Sequence, residues 1–340
     1  MSKPEQLGER APTLYDVARL AGVSHQTVSR VITSHPNVSS AMRERVTAAV
    51  NELGYRPNQA ARSLATSKSN RIGVLVYELL ASGPSKIMEA ASARAREAGY
   101  VLDIVSLDAS NDAGITDAID LVAQSHIAGV LAFTPNEHVI SALRAANFSV
   151  PISLEAESED WSSGGTHLGE AGVDLMIEHL ASLGHRRFFH IGGPADSLAA
   201  RGRARAYTAA IERLGLLSVG SSPGDWSAQA GYDAALELPL DAGITALVAA
   251  NDQTALGAIA ALTSRGVRVP DDLSVVGFDD IPESQFFQPA LTTVHFDFAS
   301  QGRNMVDRLI ARIEGRGTAG GPAVDEPAVI IRASTASPPR

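Results

Sequence analysis

The sequence contains no cysteine among its 340 residues, which excludes disulfide bonds, thiolate metal ligands and a cysteine nucleophile. Long apolar runs are also missing, since none reaches the ~18 residues that a membrane-spanning helix needs. The chain begins Met-Ser-Lys-Pro-Glu-Gln and lacks the apolar segment of a signal peptide. We therefore expect a globular protein of the cytoplasm without a membrane partner.

Motifs for catalysis and for cofactor binding are a second absence. We find no G-x-G-x-x-G turn leading from a strand into a helix, no Walker-type phosphate loop and no H-E-x-x-H. The nine histidines show no metal-ligand spacing. The sequence therefore predicts no catalytic residue, no metal site and no cofactor, so that the chain is not expected to be an enzyme.

The two signs of charge are distributed unevenly. Residues 1–71 carry ten Lys or Arg against five Asp or Glu, a net charge of +5, whereas the remaining residues carry 18 against 33, a net charge of −15. This pattern indicates a basic head that meets a polyanion and an acidic body that does not.

The head shows helical periodicity over three short segments, which we predict as helices at 14–21, 25–32 and about 40–53. Thr13 is the expected cap of the first helix, and Gly22-Val23-Ser24 separates it from the second. Gly54 is expected to end the third helix as its C′ residue. The arrangement is that of a helix-turn-helix.

The second of these helices turns polar side chains to one face. Gln26 and Arg30 are of the types that hydrogen-bond adenine and guanine edges in the major groove. Small hydroxyl side chains suited to phosphate contacts surround them: Ser24, Thr27, Ser29 and Ser39. The pattern favours DNA binding over a plain packing unit.

The stretch Tyr55–Thr66 lies where the composition changes. Pro57 and Asn58 can begin a helix, and Gln59 to Ala65 continue with good helix formers. Two turns are too few for a helix that is stable alone in water, where about 12–15 residues are needed. We therefore predict a conditional coupling helix, with an ordinary linker as the alternative.

From Arg71 onward, β-branched runs alternate with amphipathic segments. Strands are predicted at 72–77, 101–106, 129–133, 187–191, 246–250, 273–278 and 328–332, and helices from about Pro84, from about Asn111 and over 137–146. This βαβ rhythm indicates two doubly wound parallel sheets. Ligands of such folds bind at the C-terminal ends of the strands.

Four polar clusters follow predicted strands or lie in loops: Arg201 with Arg203, Trp226, Asn251-Asp252 and Asp279-Asp280. Planar hydrogen-bonding groups beside an aromatic face suit a sugar, which presents hydroxyl edges and a C–H face. Each residue alone could instead be structural, as a cap, a core residue or an ion-pair partner.

Four segments of the head form a dense pattern: Leu14-Tyr15-Asp16-Val17-Ala18, Ala21-Gly22-Val23-Ser24, Thr27-Val28-Ser29-Arg30-Val31 and Tyr55-Arg56-Pro57-Asn58 with Ala61 and Leu64. The pattern resembles that of the lactose-repressor family of bacterial transcription regulators. The resemblance implies that His25, Gln26 and Arg30 read bases. It also implies that hinge helices of two subunits, through Asn58, Ala61 and Leu64, enter the minor groove, with Leu64 as a wedge.

The body resembles the same family, which implies a core like that of a periplasmic sugar-binding protein. The matching segments include Gly224-Asp225-Trp226-Ser227, Asn251-Asp252-Gln253 and Leu291-Thr292-Thr293. The fold class is then α/β, with a small all-α head and a hinge helix joined to a two-lobed core of doubly wound parallel sheets. The organisation is a flexible extension (1–12), headpiece (13–57), hinge helix (58–66), N-terminal lobe (71–167 and 295–323), C-terminal lobe (168–294 and 324–334) and tail (335–340).

The resemblance also implies an effector site. Arg203, Asn251 and Asp279 would hydrogen-bond sugar hydroxyls, and the apolar side would be lined by Trp226, Phe298, Pro84 and Ile87. The implied inducer is a galactoside. The chain departs from the family at Ala199, Phe296 and Tyr77, where Ser, Gln and Ser are expected, and Glu155 meets an expected Asp only with a one-residue deletion.

Together these features predict a homodimeric repressor of a palindromic DNA operator that a sugar inducer releases. The C-terminal residues 324–340 lack the apolar heptads of a tetramerising coiled coil, so we expect a dimer. Two alternatives stay open: a regulator with a co-repressor such as a purine or another sugar, and a sugar-processing enzyme or uptake receptor with a DNA-binding head.

Overall fold

The computed structural model of the chain describes residues 12–32, 37–56, 69–77, 79, 81–108, 111–133, 136–155, 165–316 and 324–339; at 155 and 165–168 it describes the backbone alone. The chain divides into two compact units, Met1–Ser69 and Asn70–Arg340. Within the described ranges, no helix is both long and apolar enough to cross a membrane.

The described residues of the first unit form three helices with the predicted bounds: α1 (Leu14–Ala21), α2 (His25–Ile32) and α3 (Ser40–Leu53). Gly22 ends α1 at φ 61° and Gly54 ends α3 at φ 59°, a left-handed conformation that glycine adopts without a steric penalty. The three helices pack on one apolar core formed by Val17, Ala18, Ala21, Val28, Val31, Val46, Ala49 and Tyr55.

The second unit alternates strands and helices. Its strands are β1 (Arg71–Val76), β2 (Val101–Ser106), β3 (Gly129–Phe133), β4 (Ile152–Glu155), β5 (Arg187–Ile191), β6 (Leu217–Ser222), β7 (Ala246–Ala249), β8 (Ser274–Phe278), β9 (Thr292–His295) and β10 (Ala328–Ile330). Its helices are α4 (Ser82–Glu97), α5 (Asp112–Ala123), α6 (Glu137–Ala145), α7 (Gly165–Ser182), α8 (Leu198–Arg213), α9 (Ala228–Leu236), α10 (Asp252–Ser264) and α11 (Phe298–Ile313), with 3₁₀ turns at Leu240–Ala242 and Pro282–Gln285.

Two separate sheets form the centre of this unit. One has the strand order β2-β1-β3-β4, and the other has the order β10-β9-β8-β7-β5-β6. All neighbouring strands are parallel except β10, which pairs antiparallel with β9. The prediction of two doubly wound parallel sheets is confirmed. Strands β4, β6 and β9 were not predicted; β6, with the sequence Leu-Ser-Val-Gly-Ser-Ser, is a half-exposed edge strand that lacks an apolar run.

The chain passes between the sheets more than once. After β9 in the six-stranded sheet, α11 packs against helix α4 and against strands β3 and β4 of the four-stranded sheet. The chain then returns to the six-stranded sheet with β10. The predicted lobe boundaries stay predictions, and so does the predicted tail at 335–340. In the structure, Ala336 accepts a hydrogen bond from His185 Nε2 at 2.8 Å and Thr335 Oγ1 lies 3.0 Å from Thr292 Oγ1.

Candidate functional sites

Helix α2 presents the proposed base-reading residues to solvent. His25, Gln26 and Arg30 are exposed, whereas Val28 and Val31 on the opposite face are buried in the core. The His25 ring lies 5.2 Å from the ring of the exposed Tyr15 on α1. One face of α2 is thus fixed by packing and the other is available for a ligand, as a recognition helix requires.

Two of the serines proposed to contact phosphate are also helix caps. Ser24 Oγ accepts from the backbone N–H of Thr27 at 3.1 Å, and Ser39 Oγ accepts from that of Met42 at 3.4 Å. Both serines remain exposed. A capping serine lies at the N-terminus of its helix, next to backbone N–H groups that have no partner within the helix. These N–H groups favour an anion such as phosphate at the surface where the serine is exposed. The hinge residues Asn58, Ala61 and Leu64 lie outside the described residues.

In the second unit, four residues proposed to bind an effector meet at one edge of the six-stranded sheet. Arg203 comes from α8, Trp226 from the loop after β6, Asn251 from the end of β7, and Asp279 from the end of β8. Since β5 to β8 are parallel, these positions share the C-terminal edge. The structure therefore brings together residues that are up to 76 positions apart.

Arg203 is at the centre of this group. Its Nη2 lies 3.4 Å from Asp279 Oδ1, and both side chains are largely buried, at 12% and 7% exposure. Its Nη1 donates to the carbonyl oxygen of Ala250. The guanidinium carbon lies 3.8 Å from the ring centroid of Phe278 and 5.3 Å from that of Trp226. The planar cation is held by a carboxylate, a carbonyl and two aromatic faces.

Trp226 has a backbone conformation that its neighbours support. Its φ is 69°, which is rare for a bulky residue. Asp225 Oδ1 accepts from the N–H of Ser227 at 2.9 Å, closing the turn around it; hydrogen bonds to Ser227 lower the pKa of Asp225. Asn251 Nδ2 donates to the carbonyl oxygen of Trp226 at 3.0 Å. Side-chain hydrogen bonds on both sides of Trp226 therefore fix the backbone turn that carries the indole.

The turn Gly192-Gly193-Pro194 lies against the indole. A Cβ atom on Gly193 would lie 2.7 Å from the Trp226 ring, and one on Gly224 would lie 2.2 Å from the carbonyl oxygen of Gly192. Both distances are closer than real Cβ contacts. Glycine is required at both positions so that the loops after β5 and β6 can approach each other.

Phe298 and its neighbours form an apolar side. The Phe298 ring is 4.8 Å from the Phe296 ring, and a Cβ on Gly83 would lie 3.2 Å from it. Pro84 is half-buried on α4, whereas Ile87 is only 3% exposed and packs within the apolar core. Glu155 ends β4, paired with Phe133, but its side chain lies outside the described residues.

The positions that depart from the family pattern are also placed. Phe296 is 8% exposed and its ring lies 6.4 Å from that of Phe278. Tyr77 is half-buried against a second apolar cluster, and Ala199 is half-buried on α8. Phe296 therefore enlarges the aromatic surface where a polar residue was expected.

Three residues that the sequence did not single out connect this region to other elements. Lys86 Nζ on α4 donates to the carbonyl oxygens of Asp279 and Asp280 at 3.0 and 3.2 Å. Arg332 Nη2 contacts Asp280 Oδ1 at 2.6 Å. Asn136 Nδ2 donates to Asp196 Oδ2 at 3.1 Å. Because these contacts join residues 52 to 194 positions apart, no local sequence pattern could have predicted them.

The remaining candidates have structural roles. Arg201 donates to the carbonyl oxygen of Asp196 at 2.8 Å. His185 and His190, which flank β5 or lie in it, are buried, and burial lowers the pKa of His190 to about 4. Gly220–Gly224 fits the short pattern G-x-S-x-G, but its Ser222 lies in β6 and not on a strand-to-helix turn. No group of three or more His, Asp or Glu that could hold a metal occurs in the described ranges.

Comparison with known proteins matches both units. Residues 13–58 match the model of bacterial regulatory proteins of the lacI family, and residues 177–335 match that of periplasmic binding protein-like domains. The chain is 36% identical to the lactose operon repressor of Escherichia coli K12 over 91% of this chain and 86% of the relative. It is 33% identical to the ribose operon repressor of the same strain, over 88% and 93%.

A solved structure agrees with these relatives. The lac repressor dimer bound to operator and the anti-inducer ONPF superposes with a TM-score of 0.85 at 34% identity, covering 96% of this chain and all of that one. Fold and site thus define a helix-turn-helix regulator with a periplasmic-binding-protein-like core. The chain belongs to the lacI family of bacterial regulatory proteins.

Proposed function

We propose that this chain is a repressor that binds a palindromic DNA operator as a homodimer and is released by a small sugar inducer, a galactoside. The observation that carries this proposal is the convergence of Arg203, Trp226, Asn251 and Asp279 at one strand edge, in a chain that also has an exposed recognition helix. A relative and a solved structure, both lactose repressors, support it.

The DNA half of the proposal rests on α2. His25, Gln26 and Arg30 read base edges in the major groove, where Gln pairs with adenine and Arg with guanine. Phosphate contacts come from Ser24, Thr27, Ser29 and Ser39 and fix the register without reading sequence. Two hinges supply Asn58, Ala61 and Leu64 to the minor groove, so that a dimer is required.

The sugar-binding part of the proposal rests on the buried polar side chains at the C-terminal edge of the six-stranded sheet. Arg203, Asn251 and Asp279 bind hydroxyls, because a guanidinium, an amide and a carboxylate offer donors and acceptors in fixed planes. Trp226 and Phe298 face the C–H side of the sugar, with Pro84, Ile87 and Glu155 as further lining residues. Before a sugar binds, Arg203 and Asp279 satisfy each other, which keeps buried charges paired.

Induction follows from coupling between the two halves. The inducer binds the DNA-free arrangement more tightly, and by reciprocity operator DNA weakens inducer binding by the same factor. The protein needs no cofactor and no catalytic residue for this role, and it acts in the cytoplasm, where its operator lies.

Fluorescence anisotropy of a labelled palindrome, selected from a random library, tests the proposal. The protein is titrated at fixed salt with and without galactose, allolactose or a thiogalactoside. We expect tight binding that a galactoside releases. Tight binding that no galactoside changes would reject the inducer and keep the repressor, and binding that appears only with ligand would indicate a co-repressor.

A further inference from the structure

Asp252, the first residue of α10, is a carboxylate with no solvent-exposed surface. Three donors point at it. Its Oδ2 accepts from the backbone N–H of Ile281 at 2.9 Å and from Ser284 Oγ at 2.6 Å, and its Oδ1 accepts from Thr293 Oγ1 at 2.5 Å. A buried charge is tolerated only when it is paired or hydrogen-bonded, and these three bonds meet that condition.

Two of the three donors belong to the segment that follows Asp279. Asp279 and Asp280 both have positive φ, 106° and 47°, a conformation that costs non-glycine residues free energy. Surrounding contacts must therefore hold the turn. Asp252, at the start of α10, holds the turn through the Ile281 N–H and the Ser284 hydroxyl. Lys86, on α4, donates to the carbonyl oxygens of Asp279 and Asp280.

The carboxylate is also fixed to the neighbouring site residue. Asn251 precedes Asp252 and caps α10, with its Oδ1 accepting from the N–H of Thr254 at 2.8 Å. A Cβ on Gly277 would lie 2.2 Å from Asp252 Oδ1, so β8 can pass the carboxylate only with glycine at that position. Asp252 thus connects the ends of β7 and β8 at the place where Asn251 and Asp279 project.

We infer that Asp252 is a positioning residue for the effector site: its carboxylate holds the turn 279–284 against the N-terminus of α10 and so sets the position of Asp279 relative to Asn251 and Arg203. The inference rests on the proposed sugar site for its functional meaning. The loss of the carboxylate is expected to change effector binding without any direct contact between Asp252 and the sugar.

The charge of Asp252 should also make effector binding depend on pH. Burial, and then repulsion from Asp279, raise the pKa of Asp252 to about 7, while the bonds from Ser284, Thr293 and Ile281 oppose that rise. Sugar hydroxyls that donate to Asp279 withdraw part of its charge and weaken the repulsion. The bound state therefore favours ionised Asp252, and the affinity should rise with pH through 7, by about tenfold for each unit by which the pKa falls on binding.

Other charged groups face the same turn. Arg203 pairs with Asp279, Arg332 and His295 contact Asp280, and Lys86 binds the carbonyl oxygens of both aspartates. His295 is half exposed, carries charge only when protonated, and lies 3.1 Å from Asp280 Oδ2. A His295→Gln variant removes its contribution and is the control for the pH profile.

The test compares full-length wild type with Asp252→Asn, Ser284→Ala and His295→Gln. Calorimetric titration with isopropyl thiogalactoside from pH 6 to 8.5 gives the affinity, and operator affinity without sugar controls for folding and assembly. Asp252→Asn keeps the shape but is neutral, so we expect wild-type operator binding together with a weaker sugar affinity at pH 8 that no longer changes with pH. Ser284→Ala removes a bond that stabilises the carboxylate, so the midpoint of its profile should move to higher pH.

A merely structural Asp252 would leave the slope and midpoint of these profiles unchanged, and that result would overturn the inference. If Asp252→Asn does not fold, the midpoint of Ser284→Ala decides the matter. If wild type binds no thiogalactoside, the proposed inducer fails but the inference remains testable by amide hydrogen exchange of residues 279–286 without ligand. We then expect exchange of the Ile281 N–H in Asp252→Asn to be at least about threefold faster, because charge-assisted bonds are the stronger ones; equal exchange would reject the inference.

Discussion

The helix-turn-helix unit and the effector site are built in opposite ways. In the first, the proposed reading residues lie within the eight residues of α2, and Ser24, the residue directly before α2, caps its N-terminus. In the second, Lys86 and Asp279 touch although they are 193 positions apart. Short-range rules therefore suffice for the first, whereas the second exists only after both sheets have formed.

The buried residues of the two regions differ as well. In the part of the first unit that the structure describes, the buried residues are apolar apart from the hydroxyl of Tyr55. The second unit buries His185, His190, Asp252 and Asp279 among its other polar residues. Polar burial requires specific partners, so we expect single substitutions and changes in pH to affect the second unit more strongly.

The largest effect is expected from Arg203→Ala. The variant leaves the buried Asp279 carboxylate without its cation, and breaking a buried pair typically costs about 3–5 kcal/mol. Calorimetric titration should show effector affinity reduced by at least about a hundredfold, with operator binding kept. The matched control is Arg205→Ala, two residues along α8, whose side chain is 60% exposed and pairs with Glu170. An equal loss in both variants would mean that the site is not at Arg203.

A smaller effect should appear in acid. Burial lowers the pKa of His190 to about 4 from 6.5, so the unfolded state binds the proton first and stability is lost as pH falls from about 6.5 towards 4. His190→Phe keeps an aromatic ring next to Tyr207, on which His190 stacks at 4.8 Å. Denaturant unfolding should show that the variant loses about 2 kcal/mol less than wild type between pH 7 and 5.

Asp252 changes stability with pH in the opposite direction to His190. Because Asp252 is present in both wild type and His190→Phe, the difference between the two proteins isolates the contribution of His190. The raised pKa of Asp252 favours the folded state at low pH and loses that contribution as pH rises through about 7. His138→Gln, at a side chain that is 57% exposed, is the control for removing a histidine. If His190→Phe loses as much stability in acid as wild type, His190 is not the group responsible.

In the first unit, Gln26→Ala should weaken operator binding by about tenfold. A bidentate base contact is worth about 1–3 kcal/mol of discrimination, so the loss should be confined to the selected palindrome and absent from a scrambled duplex. Anisotropy at fixed salt measures both. Arg19→Ala removes a charge from α1, where Arg19 pairs with Asp16, and should weaken both duplexes alike if at all. A uniform loss for Gln26→Ala would place this residue on the backbone.

The same contrast explains how far the sequence could be interpreted. The three helices that the structure describes in the first unit were predicted with their bounds, because Thr13, Gly22 and Gly54 act within a few residues of themselves. Runs rich in β-branched residues form the strands β1, β2, β3, β5, β7 and β8, whose bounds were predicted to within about one residue. Strand β6 was missed, since an edge strand with polar residues has no pattern to distinguish it from a loop.

The effector site was predicted as a set of residue types at strand ends and not as a geometry. Asp279 was chosen for its position after β8, but the contacts of Lys86 and Arg332 with the same turn depend on how distant elements pack. Asp252 is adjacent to a proposed ligand residue, yet only its complete burial and its three donors show that it is part of the support. The contacts of Thr335 and Ala336 also join residues that are far apart in the sequence, so local sequence patterns could not predict them.

The smallest effect, Thr13→Ala, tests whether the first unit depends on local contacts alone. Thr13 Oγ1 donates to Asp16 Oδ2 at 2.6 Å and accepts from the Asp16 N–H at 3.4 Å, while its own N–H donates to Asp16 Oδ2 at 2.9 Å. The variant loses the first two bonds of this capping box and should destabilise α1 by about 1 kcal/mol. Amide exchange in α1 should be about fivefold faster, sugar affinity should be unchanged, and Thr13→Ser should match wild type. Because the cap acts only within α1, a loss of sugar affinity in Thr13→Ala would contradict the separation between a locally defined unit and a site made by long-range packing.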